Sequence, residues 1–491
     1  MCRSEKGRAF FRKGVPAMDT VFPMVLRTGR RLLSLAAGSP FRTLLSRFLL
    51  FSPGLFFVVS YLIAIMLGTL LLRMPMSTRS GHIEWIDALF TSTSAFCVTG
   101  LAVVDTGTYF SLFGQILIML MVEIGGLGIM TFAALLFLSL GWTVSIRQRL
   151  FIQETYTSEI SRDIKYLVVF IFAFTFLSEL IGALLLMPCW ESELAFSAKV
   201  FYSVFHSITA FCNAGISLFP DDLSRYRANV GINLIFTTLM ILGGIGFPVV
   251  RDVINCLGRR GNARLTLNTR LSLAVSLILI ILGTLLFWAL ERGYSMAGAP
   301  WTEQIMVSYF QSVTARTAGF STIDSSALGN ATLLFMMIFM FIGASPGSTG
   351  GGIKTTSIGV LAVVVMNRVR GNDANNVFRA TIPDEVVSRT ITIFISAVVF
   401  ILVIVFLHMI DQHGAVPSGQ SRGPFMEYLF ETVSAFGTVG LSTGITSGMD
   451  TFGKLLIIAS MLVGRVGILT LVYIVASRRR APSYRMQRKT S

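Results

Sequence analysis

Residues able to act as acid, base, nucleophile or metal ligand are sparse in this sequence and do not converge. The four histidines, His82, His206, His408 and His413, share no common spacing. The five cysteines, Cys2, Cys97, Cys189, Cys212 and Cys256, are odd in number and contain no C-x-x-C. Neither a disulfide framework nor a zinc site follows. Two motif matches fall in one glycine-rich run. Gly343 to Gly347 fits G-x-S-x-G, but a nucleophile elbow needs a strand before it and no histidine is placed to partner the serine. A phosphate-binding Walker loop requires glycine directly before lysine, whereas Ile353 separates Gly352 from Lys354. The chain is read as no enzyme, with no tightly bound cofactor.

The chemistry that does recur belongs to the backbone. Phe90-Thr91-Ser92-Thr93-Ser94-Ala95-Phe96 returns as Phe205 to Phe211, as Phe310 to Arg316 and as Phe430 to Phe436, a pattern F-x-[ST]-x-[ST]-A-[FR]. A glycine follows the alanine each time, Gly100, Gly215, Gly319 and Gly440, although the third lead-in is one residue short. Cys97 and Cys212 read simply as equivalent positions. The four turns are Val98-Thr99-Gly100, Asn213-Ala214-Gly215, Thr317-Ala318-Gly319 and Thr438-Val439-Gly440. A half-helix ending in mid-membrane offers its negative pole to a cation. Unpaired carbonyls beyond it are tolerable only in a wet cavity or on an ion, glycine allows them to turn to one axis, and rings of them replace the hydration shell of a monovalent cation. Four unequal copies in one chain predict a pseudo-fourfold pore.

Composition requires a membrane for such a pore. Of 491 residues 53% are apolar and 13% charged, the mean hydropathy is +0.73, and the runs are continuous, not alternating as in a β-barrel. Apolar stretches of Phe48 to Leu72, Phe113 to Leu140, Tyr166 to Met187, Asn233 to Val250, Leu271 to Leu290, Ala331 to Val365 with an interruption, Ile391 to Ile410 and Leu455 to Ala476 each approach the roughly 20 residues of a spanning helix. The segments on one side of these spans hold 29 of the 40 Lys and Arg and 9 of the 25 acids. The positive-inside rule makes them, and both termini, cytoplasmic. The formal charge of +15 is then topology and contact with anionic membrane lipids, and nucleic-acid binding is not expected. The fold class is all-α and polytopic, with four repeats of a first helix (M1), a half-helix with its glycine turn and a second helix (M2): 48–141, 166–254, 271–370 and 391–477, between basic segments 1–47 and 478–491.

Several residues within the spans need a role. Gly125-Gly126-Leu127-Gly128, Gly243-Gly244-Ile245-Gly246 and Gly464-Arg465-Val466-Gly467 repeat behind the filter glycines and read as close helix packing. The third M2 is instead split by Gly343-Ala344-Ser345-Pro346-Gly347-Ser348-Thr349-Gly350-Gly351-Gly352 before Ile353-Lys354-Thr355. That polar break reads as a plug or gate, against a structural kink. Arg465, in the middle of an apolar helix, is costly unless it faces water or a partner; it is either an electrostatic barrier on the cation path or a structural pair with a carboxylate or helix-end carbonyls. Arg316 is expected to brace its turn by bonding backbone carbonyls. Glu123 and Glu179 also lie in apolar helices.

On these motifs the chain, from about Phe48 to Ala476, resembles the Trk/Ktr/HKT superfamily, and Gly347 to Thr355 is most similar to the membrane subunit of bacterial Ktr-type potassium systems. The resemblance implies a bacterial inner-membrane homodimer with one pore per protomer. It implies potassium as the transported ion, held at Gly100, Gly215, Gly319 and Gly440. It also implies an intramembrane gating loop at Ala344 to Gly352, with Lys354 beside it, the M2 arginine Arg465 near the ion path, and a cytosolic ring of nucleotide-binding RCK/KTN-type subunits. Members with serine at the first filter position favour sodium, so Gly100 leans toward potassium; a sodium or sodium-coupled transporter of the same superfamily is the alternative. Pro346 inside the loop and the long basic N-terminal segment depart from the pattern.

Overall fold

The computed structural model describes residues 53–128, 164–191, 194–258, 264–371, 375–378, 380–413 and 418–468; the basic segments 1–47 and 478–491 and most of the loop at 141–165 lie outside them. The first repeat comprises α1 (Pro53–Leu72), α2 (Trp85–Cys97) and α3 (Leu112–Leu127). The second comprises α4 (Ile164–Leu186), α5 (Phe196–Phe211), α6 (Val230–Gly244) and α7 (Phe247–Gly258). In the third, α8 (Leu267–Glu291) and α9 (Trp301–Thr314) precede a split pair, α10 (Asn330–Phe341) and α11 (Thr355–Val369). The fourth is α12 (Asp384–His413), α13 (Ser418–Gly437) and α14 (Thr451–Val466). A two-stranded antiparallel hairpin, Asn376–Val377 with Ala380–Thr381, is the only sheet among the described residues.

The packing of these helices closes a circle. In each repeat the first helix lies against its own short pore helix: α1 on α2, α4 on α5, α8 on α9 and α12 on α13. The helix after each pore helix packs on the pore helix of the next repeat, α3 on α5, α6 on α9, α10 on α13, and finally α14 back on α2. The outer faces stay apolar. Leu277, Ile278, Ile281 and Leu285 of α8, and Ile395, Leu402 and Phe406 of α12, are exposed, as side chains facing acyl chains are. Among the described residues three helices are long and apolar enough to cross a membrane, Tyr166–Cys189, Leu267–Glu291 and Asp384–Asp411, and the α6–α7 pair qualifies as one broken span.

That break corrects the expectation of a single helix over Asn233 to Val250: α6 and α7 meet at 94°. Gly246, at φ 94°, makes the corner, because only glycine takes that backbone region without a Cβ penalty. The same position ends α3 at Gly128 (φ 81°) and α14 at Gly467 (φ 86°). The first glycine of each G-x-x-G unit does serve close packing. A Cβ on Gly125, Gly243 or Gly464 would collide with the carbonyl of Phe96, Phe211 or Phe436, at the end of the same repeat's pore helix.

Candidate functional site

The repeated phrase is built from three kinds of contact. Phe90, Phe205, Phe310 and Phe430 are fully buried and fix the pore helices in the core. In three repeats the first hydroxyl ties the pore helix to the preceding long helix: Ser92 donates to the Ile65 carbonyl at 2.8 Å, Ser207 to that of Glu179 at 2.7 Å and Ser312 to that of Ile280 at 2.9 Å; in the fourth, Thr432 Oγ1 is buried with no partner among the described residues. The carbonyl of the second hydroxyl residue receives the chain as it leaves the helix. Thr99 N–H donates to Ser94 O at 2.8 Å, Ala214 to Thr209 at 2.8 Å, Ala318 to Thr314 at 3.0 Å and Val439 to Ser434 at 2.9 Å. The third repeat makes this closure in a shorter loop, which absorbs its missing residue.

Beyond that bond every turn has one conformation. Val98, Asn213, Thr317 and Thr438 have φ of 56°, 59°, 68° and 50°, and Gly100, Gly215, Gly319 and Gly440 have φ of 96°, 60°, 82° and 99°. The left-handed residue at the non-glycine position is uncommon and costs roughly 1–3 kcal/mol where the surroundings enforce it. The glycines converge on one another. A Cβ on Gly100 would lie 2.5 Å from Ala214 O, and one on Gly215 would lie 2.7 Å from Gly319 Cα and 2.9 Å from Ala318 O. One on Gly319 would meet Val439 O, and one on Gly440 would meet Thr99 O. Each glycine therefore faces the carbonyl segment of the next repeat, and the fourth faces the first.

Above the ring opens a vestibule of about 550 Å³, lined by the four glycines and by Asp105, Asp221, Asp222 and Asp324. Asp105, Asp221 and Asp324 in its wall raise the local concentration of cations. Asp222 is itself left-handed at φ 52°; its carboxylate accepts the Ser321 N–H while Leu223 N–H donates to Ser321 O at 3.1 Å, joining repeat two to repeat three. Burial pushes the Asp222 carboxyl up to about 8, against the lowering effect of that bond.

Beneath the ring lies the interrupted third repeat. Ile342 and Ile353 bridge its neck, and Gly343 N–H donates to Ile353 O at 2.8 Å, a closed loop and not the strand-turn-helix of a nucleophile elbow. Ser345 N–H donates to Gly244 O at 3.0 Å, Thr349 N–H to Gly243 O at 3.2 Å and Gly351 N–H to Thr438 Oγ1 at 3.0 Å. Phe247 N–H donates to Gly347 O at 2.9 Å, Ser348 Oγ to Ser345 O at 2.6 Å, and Lys354 Nζ to Gly350 O at 2.8 Å. A Cβ on Gly350 would strike Thr317, and one on Gly351 would strike Thr438, the left-handed residues two before Gly319 and Gly440. Ala344, Ser345 and Thr349 are buried, and Pro346 and Gly352 are half-buried, against Gly246 and Gly437 respectively. The loop thus sits directly under the ring.

Arg465 joins the loop to the rest of the circle. Its guanidinium donates to the carbonyls of Gly125 and Thr349, and its Nε to the Tyr61 hydroxyl at 3.3 Å. Of its two sequence readings, carbonyl pairing is present, and one of those carbonyls is in the loop. Arg316 departs from expectation. Its Nε is buried without a partner among the described residues, and its side chain lines a small cavity with Ser276, Gly244 and Ala344; the turn is held by the Thr314–Ala318 bond instead. Glu123, Glu179 and Cys212 meet with ligating atoms within 4.8 Å of one another, Cys212 Sγ lying 3.6 Å from Glu123 and 3.9 Å from Glu179, so Cys212 has surroundings that Cys97 lacks.

Sequence reasoning missed one set altogether. The variable second residue of each phrase is Thr91, His206, Gln311 or Glu431, all buried. Three of them reach the chain just beyond the repeated glycine. His206 Nε2 accepts from Leu218 N–H at 3.3 Å, and Gln311 Nε2 donates to Ser321 Oγ at 2.8 Å. Glu431 accepts from the Ser442 hydroxyl at 2.5 Å, Thr443 N–H at 2.9 Å and the Thr446 hydroxyl at 2.9 Å. A polar residue recurring where the pattern shows no preference was the available signal.

A ring of four helix repeats whose central glycines face one another's carbonyls has the form of a membrane cation transporter, and the proteins it is similar to are ion transporters. A family model for TrkH, described as cation transport protein, matches residues 34–488, and the chain belongs to that family. It is 38% identical to Ktr system potassium uptake protein B of Bacillus subtilis, over 86% of this chain and 93% of that protein. It is 36% identical to the potassium/sodium uptake protein NtpJ of Enterococcus hirae, over 86% of this chain and 92% of that one. In fold it matches the crystal structure of the potassium transporter TrkH from Vibrio parahaemolyticus with a TM-score of 0.67 at 18% identity, covering 86% of this chain and 84% of that one.

Proposed function

We propose that this chain is the ion-conducting subunit of a Ktr-type potassium uptake system in a bacterial cytoplasmic membrane. The observation that carries the reading is the closed ring of filter glycines, each facing a carbonyl segment of its neighbour. Potassium passes from the acidic vestibule through the carbonyls of residues 98–100, 213–215, 317–319 and 438–440. Binding by carbonyls has to be strong enough to strip water and weak enough to release the ion. The loop 344–352 is the gate below, and Arg465 restrains it. The termini are cytoplasmic, two copies assemble as a homodimer with one pore each, and a cytosolic RCK/KTN-type ring supplies nucleotide control that this chain, with no phosphate-binding loop, lacks. The named relatives favour potassium uptake; the potassium/sodium title of the Enterococcus relative keeps sodium as the competing ion.

Flux of rubidium and sodium into proteoliposomes tests this. The unmodified protein should favour rubidium. Gly100→Ser should move the ratio toward sodium, because a side chain at φ 96° meets Ala214 O at 2.5 Å and pushes two carbonyl segments apart. Equal rubidium and sodium flux in the unmodified protein would overturn the potassium reading.

A further inference from the structure

We propose that His206, Gln311 and Glu431 are positioning residues that set ion selectivity, tethering three of the four filter strands from behind and leaving the strand of Gly100 as the compliant wall. The proposal rests on the filter reading above and adds to it a specificity-determining set outside the carbonyl ring. All three occupy the second place in the repeated phrase, one position before its first hydroxyl residue. None is more than 1% exposed, so none serves solubility. Each bonds the chain two or three residues past its glycine: Ser217 and Leu218, Ser321, and Ser442 and Thr443.

The chemistry of each tether is distinct. The Glu431 carboxylate accepts from both side chain and backbone, through Oε1 from Ser442 and Thr443 and through Oε2 from Thr446. Such bonds to a carboxylate are about twice as strong as neutral ones. His206 has Nδ1 2.8 Å from Tyr202 O and Nε2 3.3 Å from Leu218 N–H. Nδ1 therefore carries the proton and Nε2 accepts. Gln311 acts through the Ser321 hydroxyl, whose residue is also held across the repeat boundary by Asp222 and Leu223.

The first repeat has no counterpart. Thr91 is buried, its hydroxyl has no partner among the described residues, and the side chains at the equivalent positions past Gly100 are Ala102 and Val103. Gly100 N–H does bond Ser94 Oγ at 3.1 Å, as Gly440 N–H bonds Ser434 Oγ, so the difference lies past the glycine: three walls tied there and one not tied let a carbonyl ring keep its size while a single strand adjusts to the passing ion.

Four variants test this in proteoliposomes, by rubidium-to-sodium flux ratio. Glu431→Ala should lower the ratio about tenfold, the equivalent of one charge-assisted hydrogen bond, and Ser442→Ala, which cuts the same tether from the other end without touching the buried carboxylate, should lower it in the same direction. Glu431→Gln keeps an acceptor at Oε1 and a polar partner for Thr446, and should restore most of the ratio. Thr91→Val should leave it unchanged. Hydrogen exchange across residues 438–446 reads the tether whether or not ions pass: faster in Glu431→Ala and Ser442→Ala, unchanged in Glu431→Gln. An unmodified protein that conducts without selectivity defeats the filter reading, whereas a selective protein whose ratio survives both Glu431→Ala and Ser442→Ala defeats the tether. A Thr91→Val shift as large as theirs would also overturn it, by making the position one of packing alone.

Discussion

Arg465 offers the sharpest separation of two kinds of gate. Its side chain bonds Gly125 O in the first repeat and Thr349 O in the loop, so it holds the loop against the wall by one charge-assisted bond. Hydrogen bonds to charged groups contribute roughly 1.5–3 kcal/mol net. Losing the Thr349 bond should therefore shift the loop between closed and open arrangements by about 10- to 150-fold, since about 1.4 kcal/mol is a factor of ten. Arg465→Gln removes both bond and charge, and would raise flux under either a clamp or a purely electrostatic barrier. Arg465→Lys distinguishes them. It retains the charge but not the planar fork that reaches two carbonyls at once. Initial rubidium uptake into proteoliposomes, normalised to inserted protein, is the assay. A clamp predicts that the lysine variant conducts faster than the unmodified protein; lysine flux equal to the unmodified protein, with glutamine flux raised, would refute it and leave only the charge barrier.

Three other outcomes follow from contacts described here or nearby. Deleting the loop between Ala344 and Gly352 should raise basal flux while leaving the rubidium-to-sodium ratio intact; unchanged flux in a folded protein would return the loop to a structural kink. Lys454 Nζ lies 2.7 Å from Asp87, with both side chains largely buried, and joins the start of α14 to the start of α2; Lys454→Ala should cost about 3 kcal/mol, the lower end for breaking a buried pair, visible as a lower melting temperature that Lys454→Met with Asp87→Leu partly recovers. Asp222, pushed up to about 8 by burial, binds a proton that the unfolded chain has released by about pH 4, so this contribution to stability is present below pH 4 and lost as pH rises through about 8; melting measured from pH 5 to 9 should fall with pH, and Asp222→Asn should flatten that fall.

Much of the site was legible because its geometry is enforced by residue types with few alternatives. Gly100, Gly215, Gly319 and Gly440 could be found by repetition, and the hydroxyls of the phrase by their invariance across copies. Other features left no such mark. The corner at Gly246 was hidden because Ile245, Gly246 and Phe247 continue an apolar run, and hydropathy does not register a change of direction. The roles of His206, Gln311 and Glu431 were hidden because three chemistries, an acceptor imidazole, a donor amide and a carboxylate, satisfy one geometric task. Arg316 was misread since proximity in sequence to a row of carbonyls does not fix where a long side chain turns. The meeting of Glu123, Glu179 and Cys212 spans 89 residues and two repeats, a separation that no local pattern encodes.

The loop under the ring also explains why a pore of this kind benefits from being one chain. A ring of four identical subunits would carry the loop four times, and Gly350 and Gly351 already lie against the first filter residues of two different quarters. Four such insertions would compete for a single axis. Covalent linkage of the quarters breaks that symmetry: one quarter carries the loop, another contributes the arginine that bonds it, and the other two differ in what they offer, Gly125 O to the arginine and Gly243 O and Gly244 O to the loop.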